Sequence, residues 1–377
     1  MEYTKLKCIN QYKSENINPS KTPNTIFEMY SVPIYETGHP EYLRGDEIAS
    51  NKVVVQKNDI LLCKINPRIN RVWVVSDESD KMNIASSEWI VIRNNEYNPE
   101  FLAWYFRTPK FQKLMISEVT GIGGSLTRAQ PKRVSEYPVP VLEKVKQDEI
   151  VNILNKCKLV LTLRKQELIL LDKLIKARFV EMFGDPMINP KGFPVKTIGE
   201  VSVLNKGVTY SPEDVADEGT IVLRSSNIKG NVFDLEDLVK ITKKISTDKY
   251  VHENDILMCN RNGSVRLVGK VAMIPKLDEN MTFGTFMTIV RSDIYEYLFV
   301  FFQMDAFRKQ IKFQTAVAIN QISLPLLSTV KVPVPSRKLI DEFANFVHHV
   351  DKSKVVVQKA LNETQKLFES LMQEYFG

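Results

Sequence analysis

Asn58-Asp59-Ile60-Leu61-Leu62-Cys63 recurs as Asn254-Asp255-Ile256-Leu257-Met258-Cys259, 196 positions downstream. Further matches fall in the same order. Pro138-Val139-Pro140 returns as Pro333-Val334-Pro335 at an offset of 195. Asp148-Glu149-Ile150 returns as Asp341-Glu342-Phe343, and Glu181-Met182-Phe183-Gly184 as Glu374-Tyr375-Phe376-Gly377, both at 193. The chain is therefore two copies of one unit, each a variable body followed by a segment of fixed length.

The fixed segments, 148–184 and 341–377, carry a helical pattern. In the first, Leu154, Leu161, Leu168, Ile175 and Met182 repeat every seven residues, with Ile150, Cys157 and Leu171 at companion positions. In the second, Phe343, Val350, Val357 and Leu371 form one ladder, and Val347, Leu361, Phe368 and Tyr375 the other. Arg164, Arg178, Lys354 and Thr364 interrupt them. Alternating spacings of three and four predict a helix-pair seam. At ~1.5 Å per residue, such a helix spans ~55 Å. The prolines at 138, 140, 333 and 335 can break an extended segment before each helix, and Gly184 and Pro186 stop the first. The segments carry opposite charge: 7 basic against 5 acidic residues in 148–184, and 4 against 6 in 341–377. An antiparallel coiled coil is the expectation; two helices packed separately on their own bodies is the plainer alternative.

The bodies, 1–147 and 185–340, hold short β-type runs: Val53-Val54-Val55, Ile60-Leu61-Leu62, Val72-Trp73-Val74-Val75 and Trp89-Ile90-Val91-Ile92 in the first. The second has counterparts at 255–258, 267–272 and 286–290. Each body also has an aromatic helix candidate, 101–111 and 298–307. The fold class expected is α+β: two bodies of mixed α/β structure separated by two long helices, with an internal two-fold repeat.

Composition bounds the function. The 377 residues include 44 % apolar side chains and a net charge of +6, which excludes wholesale disorder. Each body is mildly basic, with 20 basic against 17 acidic residues, which permits nucleic-acid binding without demanding it. No apolar run reaches the ~18–20 residues of a membrane span. The first residues lack the apolar stretch of a secretory signal, and Cys8, Cys63, Cys157 and Cys259 make no CxxC, so a reducing cytoplasm is expected.

Catalytic signatures are missing. There is no GxxxxGK[ST], and Thr120-Gly121-Ile122-Gly123-Gly124-Ser125 reads as a loop. His39, His252, His348 and His349 show no metal spacing. Asp59 and Asp255 stand at one repeat position before a β run and read as turn residues. Cys63, Cys157 and Cys259 read as packing residues.

The whole pattern resembles the specificity subunit of type I restriction–modification systems. The resemblance is carried by Ser50-Asn51-Lys52, by 58–73, by Leu223-Arg224-Ser225-Ser226-Asn227-Ile228, by 260–270, by Asn320-Gln321-Ile322-Ser323 and by 371–377. It implies that 1–147 and 185–340 are target-recognition domains, each reading one half of a bipartite site in double-stranded DNA. It implies that 148–184 and 341–377 are spacer helices that set the distance between readers and dock methyltransferase (modification) subunits, two of them, alongside restriction/translocase subunits. S-adenosylmethionine, ATP and Mg²⁺ would be held by those partners, and this chain would be non-catalytic with no cofactor of its own. Readers one turn apart on B-DNA are separated by ~34 Å, which a ~55 Å helix pair can hold.

Arg and Lys pair with guanine edges, Asn and Gln with adenine. The candidate DNA-contacting residues are Lys64, Asn66, Arg68, Asn70 and Arg71 in the first body. In the second they are Arg224, Asn227, Asn260, Arg261, Asn262, Gly263, Ser264 and Arg266. The first loop lacks the Gly-Ser pair of the second, so the halves are expected to read different bases. Any one of these residues could equally meet phosphate or nothing. A tethering protein with two protein-binding domains and no DNA role is the rival reading, distinguished by salt-dependent DNA binding.

Overall fold

The computed structural model describes residues 2–76, 78–117, 119–120, 127–313 and 321–377. The glycine-rich residues 121–125 and Asn320 lie outside these. Two compact units are present: Met1–Lys165 with Ala360–Gly377, and Gln166–Lys359. The central helix Lys144–Phe183 and the C-terminal helix Arg337–Phe376 are 40 residues each, both starting upstream of the expected positions 148 and 341.

Each unit contains one end of each helix. In the first, Ile150, Val151 and Leu154 share a core with Phe368, Leu371 and Phe376. In the second, Ile175, Phe179 and Phe183 share one with Phe343, Val347 and Val350. The start of one helix lies with the end of the other in both, so the pair is antiparallel. Leu154, Leu161, Ile175, Phe343, Val350 and Val357 are buried, and Leu168 and Leu371 half-buried. Burying each such side chain contributes about 1.5–3 kcal/mol. Charges flank the seam: Lys354 Nζ sits 2.7 Å from Asp172, and Arg178 3.3 Å from Glu342.

The repeated hexapeptide forms the middle strand of a sheet in each unit. Ile60–Cys63 lies between Val72–Val74 and Trp89–Ile92, antiparallel to both. Ile256–Cys259 lies between Val271–Met273 and Met287–Arg291, with Val203–Lys206 added at the edge. Successive side chains point to opposite faces. Ile60 and Leu62 enter the core shared with the helix ends, while Leu61 and Cys63 enter a second core on the other face. Ile256 and Met258 divide from Leu257 and Cys259 in the same way. Burial on both faces is why these runs are apolar throughout rather than alternating. It also pushes both thiols above the usual range.

A further sheet in each unit contains a parallel pair, Ile26–Tyr30 with Met82–Ser86 and Thr220–Leu223 with Met281–Phe283. Three of the prolines upstream of the helices, Pro138, Pro140 and Pro333, sit in short edge strands, and Pro335 follows the second strand. Pro138–Val141 pairs with Glu2–Lys5, and Lys331–Pro333 with Val195–Thr197. An edge position tolerates the missing N–H. Gly184 takes φ +78 after the central helix, donating its N–H to the Val180 carbonyl. A Cβ there would sit 2.4 Å from Pro190 Cγ.

Three sequence expectations change in detail. The 101–111 helix is two helices, Pro99–Phe106 and Pro109–Ser117, because Pro109 cannot continue the first. Its counterpart is likewise divided into Tyr295–Phe302 and Asp305–Phe313. The 267–272 run is strand only from Val271; before it lies a 3-10 turn, Val265–Leu267, and Gly269 at φ +77. Among the described residues no helix is long and apolar enough to cross a membrane.

Candidate nucleic-acid interface

Asp59 and Asp255 close the turns that launch the middle strands. Each carboxylate accepts a backbone N–H three residues back, from Gln56 at 2.9 Å and from His252 at 2.8 Å. The turn reading holds, and a second role accompanies it. Asp59 takes two bonds from Arg93 at 2.7 and 2.6 Å, and Asp255 two from Arg291 at 2.7 Å each. Both carboxylates are buried, and both arginines are held above their usual range by them. These paired anchors stand at the strand starts; the candidate loops leave from the strand ends.

In the second body, four segments meet around the loop 260–270. Asn260 and Arg261 donate their N–H groups to the Phe286 carbonyl at 3.0 and 3.2 Å. Ile322 donates to the Asn260 carbonyl at 2.7 Å, and Arg261 bridges to Gln321. Val208 donates to the Phe283 carbonyl at 2.8 Å. Gly207 permits that approach, since a Cβ there would lie 2.1 Å from the Gly284 carbonyl oxygen. A hollow of about 390 Å³ results, lined by Lys206, Asn260, Arg261, Phe286 and Gln321 among others.

The candidate residues separate by exposure. Arg261, Gly263 and Arg266 are exposed; Asn262, Ser264 and Arg224 are partly so. Neither Arg261 nor Arg266 has an ion pair or side-chain hydrogen bond among the described residues. Arg224 is tied to Asp237 at 2.8 Å. Asn262 Nδ2 donates to Ser225 Oγ at 3.1 Å, and its Oδ1 accepts from the Ser264 N–H at 2.9 Å. Lys270 joins the same turn, donating to the carbonyls of Ser225 and of Ile228. Asn227 and Asn260 are buried. Asn227 donates both amide hydrogens to the carbonyls of Asp234 and Asp237 and accepts the Arg224 N–H, so its groups are used within the turn. Asn260 donates to Thr288 Oγ1 at 3.0 Å.

The first body has the same frame with other side chains. Lys64 donates its N–H to the Glu88 carbonyl at 3.0 Å, Ala129 donates to the Lys64 carbonyl at 2.9 Å, and Ile65 bridges to Arg128. Arg68 is exposed; Lys64, Asn66, Asn70 and Arg71 are partly buried. Asn66 holds a positive φ of 45° at the bend. Asn70 Nδ2 donates to the Phe106 carbonyl at 3.2 Å, tying the loop to a helix end. Arg128 is held by both oxygens of Glu88, at 3.2 Å each.

Sequence reasoning did not single out Phe286, Lys206, Lys270 or the Glu88–Arg128 pair as site residues. Phe286 was absorbed into a β run, although the Gly284-Thr285 pair before it marks a turn. Lys270 ends the loop itself and reads as part of the following β run, while Lys206, Glu88 and Arg128 come from other segments of the sequence. Among the described residues no group of three His, Cys, Asp or Glu side chains could hold a metal ion.

Residues 190–364 match the family model of the Type I restriction modification DNA specificity domain. No curated protein matches the chain in sequence. Two solved structures share its fold over the whole chain. One, 18 % identical with a TM-score of 0.61, comes from work on complex assembly and conformational transition of the type I R-M system, and 97 % of it is covered. The other is the type I restriction-modification S subunit from M. genitalium, 14 % identical with a TM-score of 0.58 and 96 % covered.

Proposed function

We infer, from the match of residues 190–364 to the Type I restriction modification DNA specificity domain, that this chain gives a restriction–modification complex its DNA sequence specificity. Each body reads one half of a bipartite site in double-stranded DNA. The observation that carries this reading is the pair of equivalent loops, 64–71 and 260–270, which leave the same strand end of the same frame. They present cations with no ion pair among the described residues, Arg68 in one and Arg261 and Arg266 in the other, amid otherwise different side chains. Equivalent frames with different readers suit an asymmetric target. The bases are read by Lys64, Asn66, Arg68 and Arg71 in the first body and by Arg261, Asn262, Ser264 and Arg266 in the second, with Gly263 leaving room for close approach. Asn70 and Asn260 hold those loops in place, and Arg224 and Asn227 brace the neighbouring 224–237 turn.

The helices set the spacing and dock two methyltransferase subunits, and restriction/translocase subunits join that complex. Support comes from Leu159, Leu163, Leu170 and Leu174, which recur at helical spacing on the central helix and are all exposed. Exposed apolar stripes of this kind mark protein contacts. The chain is non-catalytic and binds no cofactor; the partners supply S-adenosylmethionine, ATP and Mg²⁺.

Binding of the chain with its methyltransferase partner to randomised DNA, at several salt concentrations, tests this. The expected result is selection of two short blocks separated by an unread spacer, with affinity falling as salt rises. Absence of any sequence preference would overturn the reading. Methyl transfer by the isolated chain would overturn its non-catalytic part.

A further inference from the structure

We propose that Phe286 is a positioning residue that fixes Arg261 as a guanine reader in the second body, an inference that rests on the DNA-reading function above. The Arg261 guanidinium carbon lies 5.1 Å from the centroid of the Phe286 ring. That ring is 52 % exposed at the tip of a tight turn, closed by the Met287 N–H donating to the Gly284 carbonyl at 2.9 Å. A phenylalanine so exposed does little for the core beneath it. What it does cover is one face of a guanidinium.

The main chain under the pair is locked. Asn260 and Arg261 both donate to the carbonyl of Phe286 itself, and Asn260 is buried and bonded to Thr288. Both side chains therefore rise from one rigid patch. The ring holds the guanidinium carbon over it, and among the described residues the N–H groups of Arg261 make no ion pair or side-chain hydrogen bond. Bidentate recognition of guanine O6 and N7 in the major groove requires a planar fork with its donors free. A fork whose plane is already held loses less rotamer freedom on binding.

The first body supplies the contrast. By backbone pairing, Glu88 stands where Phe286 stands, Ile65 where Arg261 stands, and Arg128 where Gln321 stands. There the arginine lies on the other segment, and Glu88 occupies its donors. In the second body an aromatic replaces the carboxylate and the arginine stands on the loop itself, over the ring and with no ion pair among the described residues. Guanine reading at this position thus belongs to the second half-site alone.

The test uses the full chain with its methyltransferase partner and a library randomised over both half-sites, read by methylation or by binding. Arg261→Ala should relax one G·C position in the half-site of the second body by roughly tenfold or more. Arg261→Lys should do the same, since an ammonium is not a planar fork. Phe286→Ala should relax that same position by about 2–5-fold, the weight of an exposed cation–π contact. Phe286→Tyr should keep the wild-type profile, which separates loss of positioning from loss of folding. The proposal is overturned if Phe286→Ala leaves the profile unchanged or alters a different position. It is also overturned if Arg261→Ala weakens all sequences alike and lowers the salt slope by about one, the mark of a phosphate contact. In either case the wild-type complex still selects its site and the DNA-reading function stands. A wild-type complex with no preference would remove that function and this proposal with it.

Discussion

Removing the Asp255 carboxylate leaves Arg291 without its carboxylate partner at the start of the middle strand in the second unit. The side chain of Asp255 is 1 % exposed, that of Arg291 36 %. The lost contacts are two charge-assisted bonds at 2.7 Å and the bond from the His252 N–H at 2.8 Å. Breaking a buried pair on one side costs about 3–5 kcal/mol. Water can reach about a third of the abandoned arginine, which lowers the figure for Asp255→Ala to about 2–4 kcal/mol. Urea unfolding with an unchanged slope would measure it, and hydrogen exchange in strands Ile256–Cys259 and Met287–Arg291 would localise it. The double variant with Arg291→Met should recover part of the loss, giving a coupling energy of at least about 1 kcal/mol. In the first unit Arg93 is less exposed, so Asp59→Ala should cost as much or more. A loss under about 1 kcal/mol at both aspartates, or purely additive effects in the cycle, would refute the reasoning.

Replacing Leu161 and Leu168 by Asp places charge in the helix seam, and the melting temperature should fall sharply; unchanged melting would contradict the packing. Tyr105 and Tyr297 donate their hydroxyls to the carbonyls of Pro138 and Pro333 at 2.6 Å each, and burial raises both phenols above the ordinary value. Their neutral form is favoured in the fold, so this contribution is whole below the unfolded value of about 10 and declines as pH climbs through the raised one. Tyrosinate absorbance from these rings should therefore appear only with unfolding. Tyr297→Phe should cost about 1 kcal/mol at neutral pH and flatten the alkaline decline.

The fold was legible where its cause is local or repeated. The heptad ladders exposed the helix pair because a seam demands an apolar residue every three or four positions. The doubled hexapeptide marked the middle strands because both of their faces are buried. Strands Ile26–Tyr30 and Glu41–Arg44 escaped notice. Their neighbours in the sheet are Met82–Ser86 and each other, and Glu28 and Arg44 disrupt the apolar pattern. The partners of Asp59 and Asp255 lie 34 and 36 residues downstream, beyond any local spacing rule. One trace was present: each aspartate has an arginine at nearly the same offset in its own repeat.

At the candidate site, sequence chemistry selected the loops but could not rank their members. Asn227 and Arg261 are both plausible base readers by residue type. The fold buries one amide among backbone carbonyls and sets the other residue's guanidinium over an exposed ring, with no ion pair among the described residues. Phe286 could not be found by residue type at all, because an aromatic beside a β run reads as core.

The central claim is that each body reads its own half of one DNA site. The most direct measurement maps the methylated sites of the assembled complex before and after residues 185–335 are exchanged for the equivalent segment of a type I specificity subunit. The account predicts that one half of the recognised sequence changes while the other half and the spacer stay as they were. Changes in both halves, or in neither, would contradict it.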